Sequence, residues 1–156
     1  VSSYASQTTV SADKSRSEIE ATLRRFGADQ FMYGWEKTHA VIQFRAQQRL
    51  IRFVLELPNR DDPRFTLTPT GKKRRTPDAM LKAYEQATRS TWRSLALVIK
   101  AKLVAVDDGI VTFEHEFLAH IVLPSGDTVG RWAIPQVATA YETGEMLPAL
   151  PGGHDE

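Results

Sequence analysis

From Asp78 to Asp107 the chain runs thirty residues without a proline or a glycine. No other feature constrains the fold as much. Thr76 offers an N-cap oxygen, and Pro77 suits the first helical position, where an amide has no partner. Gly109 is the natural stop. The spacing predicts a helix of about eight turns, long enough to cross a whole domain. Leu81, Tyr84, Thr88, Trp92, Leu95, Ile99, Leu103 and Val106 share one stripe of it, which should face a sheet and other helices.

The sheet is legible upstream. Phe31 to Trp35 is aromatic and suits a strand. His39 to Arg45 alternates, with Ala40, Ile42 and Phe44 on one face. Arg49 to Leu57 alternates again, with Ile51, Phe53, Leu55 and Leu57 on one face. Period-two alternation packs one face on a core and leaves the other partly wet. Lys37-Thr38 and Gln47-Gln48 are the turns, although the second lacks the Gly or Asn of a strong hairpin signal. A three-stranded meander needs helices on its apolar face.

Shorter helices complete the pattern. Ser15-Arg16-Ser17-Glu18 has capping-box spacing. Ile19, Leu23 and Phe26 then recur at helical spacing before Gly27, which predicts a helix over 16–26. Thr112 caps a shorter helix carrying Phe113, Phe117 and Ile121. Pro124 to Asp127 is a turn by composition. Thr128 caps a last helix, which Pro135 kinks or splits and Gly144 ends. The expected fold is α+β: a three-stranded antiparallel sheet packed by helices, with one long central helix. Residues 15–146 form a single domain. Residues 1–14 read as a mobile tail, and 147–156 as an irregular one.

The net charge of +1 hides a distribution. Residues 1–36 carry four basic and five acidic residues. Residues 37–102 carry fifteen basic and five acidic, and residues 103–156 one basic and nine acidic. The middle is thus +10 and the end −8. Either the blocks neutralise each other within the fold, or they mark an anionic partner or self-association between opposite faces.

On the long helix Lys82, Arg89, Arg93 and Lys100 are spaced by seven, four and seven residues, which sets them on one ridge. Lys72-Lys73-Arg74-Arg75 lies just before it, in a loop over 58–76 long enough to suggest a binding loop. Phosphate is the natural partner of such cations. Arg45 and Arg52 stand on the polar faces of neighbouring strands. Phe31, Tyr33 and Trp35 are either exposed beside them, as a stacking platform, or buried as core. The expected nucleic-acid-binding set is Arg45, Arg52, Lys72, Lys73, Arg74, Arg75, Arg89 and Arg93.

Other chemistry is sparse. Without cysteine there is no thiol nucleophile, disulfide or Cys-ligated metal. His115 and His120 miss the zinc-protease spacing, since residues five apart stand about 140° apart around a helix. Glu116 and His120 have an i, i+4 spacing that a metal could use, or they are a surface pair. Thr70-Gly71-Lys72 lacks the earlier Gly of a phosphate loop. The reading is no enzyme, no cofactor and no metal. No apolar run spans a membrane, and Val1 to Lys14 lacks the basic start and apolar core of a signal peptide, so a cytoplasmic location is expected.

Two resemblances give context. Trp92 to Leu103 with Gly109-Ile110, Phe117 to Leu123 with Pro124-Ser125-Gly126, and Leu147-Pro148-Ala149-Leu150-Pro151-Gly152 resemble small uncharacterised proteins of bacterial phages and prophages. The order helix, three-stranded meander, basic loop and long helix is similar to the core of phage single-strand annealing proteins. The resemblances imply a phage or mobile-element accessory protein that binds nucleic acid, with DNA favoured. Two alternatives are a host-takeover or anti-defence protein that binds a host protein through its acidic C-terminal third, and a homo-oligomer joining the +10 segment of one subunit to the −8 segment of the next.

Overall fold

In a computed structural model the backbone is described for residues 2–145, and the side chains for residues 13–145. Three strands, β1 (Gln30–Trp35), β2 (His39–Ala46) and β3 (Arg49–Glu56), form an antiparallel sheet in the order β1-β2-β3. Around it run α1 (Ser2–Arg25), α2 (Pro63–Thr66), α3 (Pro77–Asp107), α4 (Phe113–Phe117) and α5 (Val129–Thr143), with a single 3-10 turn at Leu118–His120. The fold is α+β, and α3 is its spine.

The alternation of the strands decides which face is covered. Ala40, Ile42 and Phe44 of β2 and Ile51 and Phe53 of β3 are buried. Ile19 and Leu23 of α1, Trp92, Leu95, Ile99 and Leu103 of α3, and Phe113 and Phe117 of α4 pack into the same core. Phe44 and Phe53 each meet Phe117 edge-on, at 5.9 and 6.3 Å between ring centroids. That geometry is the preferred one for ring quadrupoles.

Three helices start as their threonines predict. The hydroxyls of Thr76, Thr112 and Thr128 accept from the amides of Ala79, His115 and Arg131 at 3.3, 3.2 and 3.2 Å. α5 passes through Pro135 unbroken and ends at Gly144, whose φ is 72°. α1 differs from expectation. It begins at Ser2, so Ser15 lies inside the helix and caps nothing. Nothing between Val1 and Phe26 is Gly or Pro, and a helix with no breaker is free to extend past a local capping pattern. The segment 147–156 lies outside the described residues.

Candidate nucleic-acid interface

Local chemistry builds a scaffold under the basic loop. Asp62 caps α2, its Oδ1 accepting from the Arg64 amide at 2.8 Å. That bond, with the Arg64 side chain, holds the Asp62 carboxyl below its ordinary range. α2 buries Phe65, whose ring meets Tyr84 of α3 edge-on at 5.9 Å. Beyond it the chain folds back on itself. The Thr68 amide donates to the Lys73 carbonyl at 2.8 Å, and the Arg75 amide to the Thr66 carbonyl at 2.7 Å. Gly71 makes the reversal at φ 70°, a region closed to most residues. The segment over 58–76, long for a connection, is thus pinned by its own backbone bonds and by Phe65.

Lys72, Lys73 and Arg74 emerge from this hairpin exposed, a few residues before the start of α3. Arg75 is different: half-buried, it donates from Nε to the Leu67 carbonyl at 2.6 Å and braces the loop. On α3, Lys82, Arg89, Arg93 and Lys100 are all exposed and fall within about 40° of one another around the axis. Arg89 touches only a neutral group, Gln86 Oε1, at 3.0 Å. Among the described residues none of Lys72, Lys73, Arg74, Lys82, Arg89, Arg93 and Lys100 joins an ion pair. Glu85, the acidic residue beside the ridge, does not neutralise it. Its Oε1 is shielded from solvent with no hydrogen-bond partner among the described residues.

The acidic block meets the basic one elsewhere. Lys102 Nζ lies 2.9 Å from Glu116 Oε1, and Arg49 Nη2 lies 2.6 Å from Glu114 Oε1. Both partners sit on α4, so among the described residues the two blocks pair only on the side of the fold where α4 packs. Glu116 is therefore engaged by Lys102. His120 instead stacks on Phe53 at 4.0 Å between centroids. Burial, with Lys102 nearby, pushes the His120 pKa below its ordinary value.

The sheet arginines stand apart from this ridge. Arg45 grips Asp29 with two guanidinium nitrogens, Nε to Oδ1 at 2.9 Å and Nη2 to Oδ2 at 2.6 Å. The pair lowers the Asp29 carboxyl through the Arg45 hydrogen bond. Arg52 donates to Gln43 Oε1 at 3.1 Å and to the Gly126 carbonyl at 2.7 Å, tying the 124–127 turn to β3. Both side chains leave the sheet on the face opposite α3. Strand pairing sets Phe31, Tyr33 and Trp35 against Phe44, Ile42 and Ala40, on the helix-covered face. Tyr33 packs on Trp92 at 5.6 Å. The rings therefore do not share a face with Arg45 and Arg52, and the core reading holds for Phe31 and Tyr33. Trp35, at the end of the edge strand, remains 71% exposed.

The structure sets Arg89 and Arg93 together on one ridge of α3, holds Lys72, Lys73 and Arg74 on an exposed hairpin before that helix, and separates Arg45 and Arg52 from both. Lys82 and Lys100 belong with the first group, and their seven-residue spacing from Arg89 and Arg93 is the signal that finds them. Arg60, whose guanidinium lies 5.0 Å over the Tyr84 ring, adds a cation near the foot of α3 that no spacing indicated. Among the described residues no helix is long and apolar enough to cross a membrane. No protein-family model, curated protein or solved structure matches this chain.

Proposed function

We propose that this chain is a non-enzymatic nucleic-acid-binding protein, of the phage accessory kind its sequence resembles. It holds phosphates on the Lys82–Lys100 ridge and on the Lys72–Arg74 hairpin. The observation that carries the reading is the absence of carboxylate partners for these cations among the described residues. A surface that is merely solvated interleaves both signs. From Lys82 to Lys100 the ridge rises about 27 Å, comparable with one turn of duplex at roughly 34 Å. Arg89 and Arg93 supply bidentate contacts, and the lysines act as point charges. With these cations spent on phosphates, binding follows the backbone rather than the sequence.

Fluorescence anisotropy with labelled DNA and RNA, single- and double-stranded, tests this. Affinity should fall steeply between about 50 and 200 mM salt, with a slope of roughly −0.9 per phosphate on duplex and −0.7 on single strands. Replacing Lys72, Lys73 and Arg74 together by Ser should reduce the duplex slope by about 2.7. Arg45→Gln and Arg52→Gln should leave it unchanged. A chain that binds none of the four polymers at low salt ends the proposal.

A further inference from the structure

α5 has too little of its own to hold it. Of its residues only Gly130 is buried. Its contacts with the rest of the fold are concentrated on the 3-10 turn, where Gly130 approaches Ala119. A fifteen-residue helix with an internal proline is marginal in water without a packed face. Yet the sequence gives it such a face. Gly130, Ile134, Val137 and Tyr141 recur at i, i+4, i+7 and i+11, one stripe. Gly130 uses its end against Ala119. Ile134 is 66% exposed and Tyr141 88%.

α3 carries a matching surface. Its second half is apolar on two sides, and an apolar side of a helix is ordinarily covered. The side away from the core presents Leu97, Ala101 and Val104 at i, i+4 and i+7, with Val98 beside them. Leu97 is 62% exposed. Exposed Arg93 and Lys100 flank this stripe, whereas exposed Glu142 and Glu145 flank the end of the α5 stripe.

We propose that the occupant of each stripe is the other stripe on a second copy of this chain. α5 of one protomer lies along the Leu97–Val104 face of α3 in its partner, with Glu142 and Glu145 toward Arg93 and Lys100. The exchange is reciprocal, uses both stripes of both copies once, and closes as a two-fold dimer. The dimer draws on Arg93 and Lys100 of the ridge too, so it is tested without nucleic acid, where its outcome does not depend on the nucleic-acid reading.

The chain has no cysteine, which makes the test direct. Leu97→Cys and Val137→Cys are prepared as single variants at exposed positions, and circular dichroism checks that each folds. Mixed and oxidised, they should give a disulfide-linked heterodimer, while neither alone gives a comparable yield. Sedimentation equilibrium of the unaltered chain should show a dimer, and Leu97→Asp or Val137→Asp should weaken it at least tenfold. A monomer up to about 100 µM overturns the proposal. So does a dimer that Leu97→Asp leaves intact, or a mixture that gives no more cross-linked dimer than either single variant alone. A monomer that captures a host protein through α5 assigns the stripe to that partner instead and likewise overturns it.

Discussion

Gln47 and Gln48 join β2 to β3 with φ of 47° and 63°. Positive φ at both central positions is the turn whose twist matches a two-residue hairpin, and it favours Asn-Gly. A side chain with a Cβ costs about 1–2 kcal/mol in that region. The flanking pair Ala46 and Arg49 closes the ladder, so register leaves no other geometry open. The Gln47→Asn, Gln48→Gly double variant should therefore stabilise the fold by about 1 kcal/mol, since the strain it relieves exceeds the entropy Gly adds to the unfolded chain. Thermal unfolding should show a midpoint raised by roughly 2–4 °C. An unchanged or lowered midpoint would mean the surrounding strands relax the two glutamines at no cost. The alternation on each flank located this turn in the sequence, where the missing Gly or Asn only weakened the hairpin signal, and the strain shows in the two positive φ values.

Among the elements, α5 depends on one close approach. A Cβ built on Gly130 would lie 2.9 Å from the Ala119 carbonyl oxygen and 3.3 Å from the Ala119 Cβ. In an exposed helix Gly→Ala ordinarily gains about 1 kcal/mol. Here the obstacle is backbone, which cannot swing aside, and overpacking costs about 1–3 kcal/mol. The clash wins. Gly130→Ala should loosen α5 from the 3-10 turn while the sheet and α3 stay folded, and trypsin should cut after exposed Arg131 about tenfold faster. A rate equal to that of the unaltered chain would show that the turn yields instead. The elements differ in how far the sequence disclosed them. Helix starts were legible because a threonine and the amide three residues on are a local pair. The onset of α1 was not, because Ser15-x-x-Glu18 is a capping signal only where the helix has not already begun. The solitude of α5 was not legible either. Apolar spacing tells which side of a helix seeks cover, and only the neighbours tell whether it is found. The same limit applied to Phe31, Tyr33 and Trp35, whose face is fixed by their pairing with β2 and not by their own pattern.

At the scale of the whole molecule, burial and charge are both unevenly shared along α3. Its first buried residue is Thr88, and Trp92, Leu95, Ile99 and Leu103 follow. The half that carries the core against the sheet also carries Lys102, paired with Glu116 of α4. The half before Thr88 is held by Phe65 under Tyr84 and begins beside the unpaired hairpin. The +10 and −8 totals could be read off the chain. Where they meet could not, since that required the contact between α4 and the segment around Arg49 and Lys102. An end without buried residues and a packed core at the other should divide local stability along a single helix. Hydrogen exchange resolves this residue by residue. Amides of β2, β3 and α3 from Trp92 to Leu103 should exchange only through global opening, with a denaturant dependence equal to that of unfolding. Amides of α3 from Met80 to Tyr84 should exchange at least tenfold faster through local fraying, and those of α5 faster still in dilute solution. Adding nucleic acid should slow the first turns of α3, because a ligand bound only to the ordered ridge stabilises it by mass action. Raising the protein concentration should slow α5 alone. Uniform protection along all of α3, insensitive to either addition, would show that the spine opens as one unit and that the core, not the surface, sets the order of its ends.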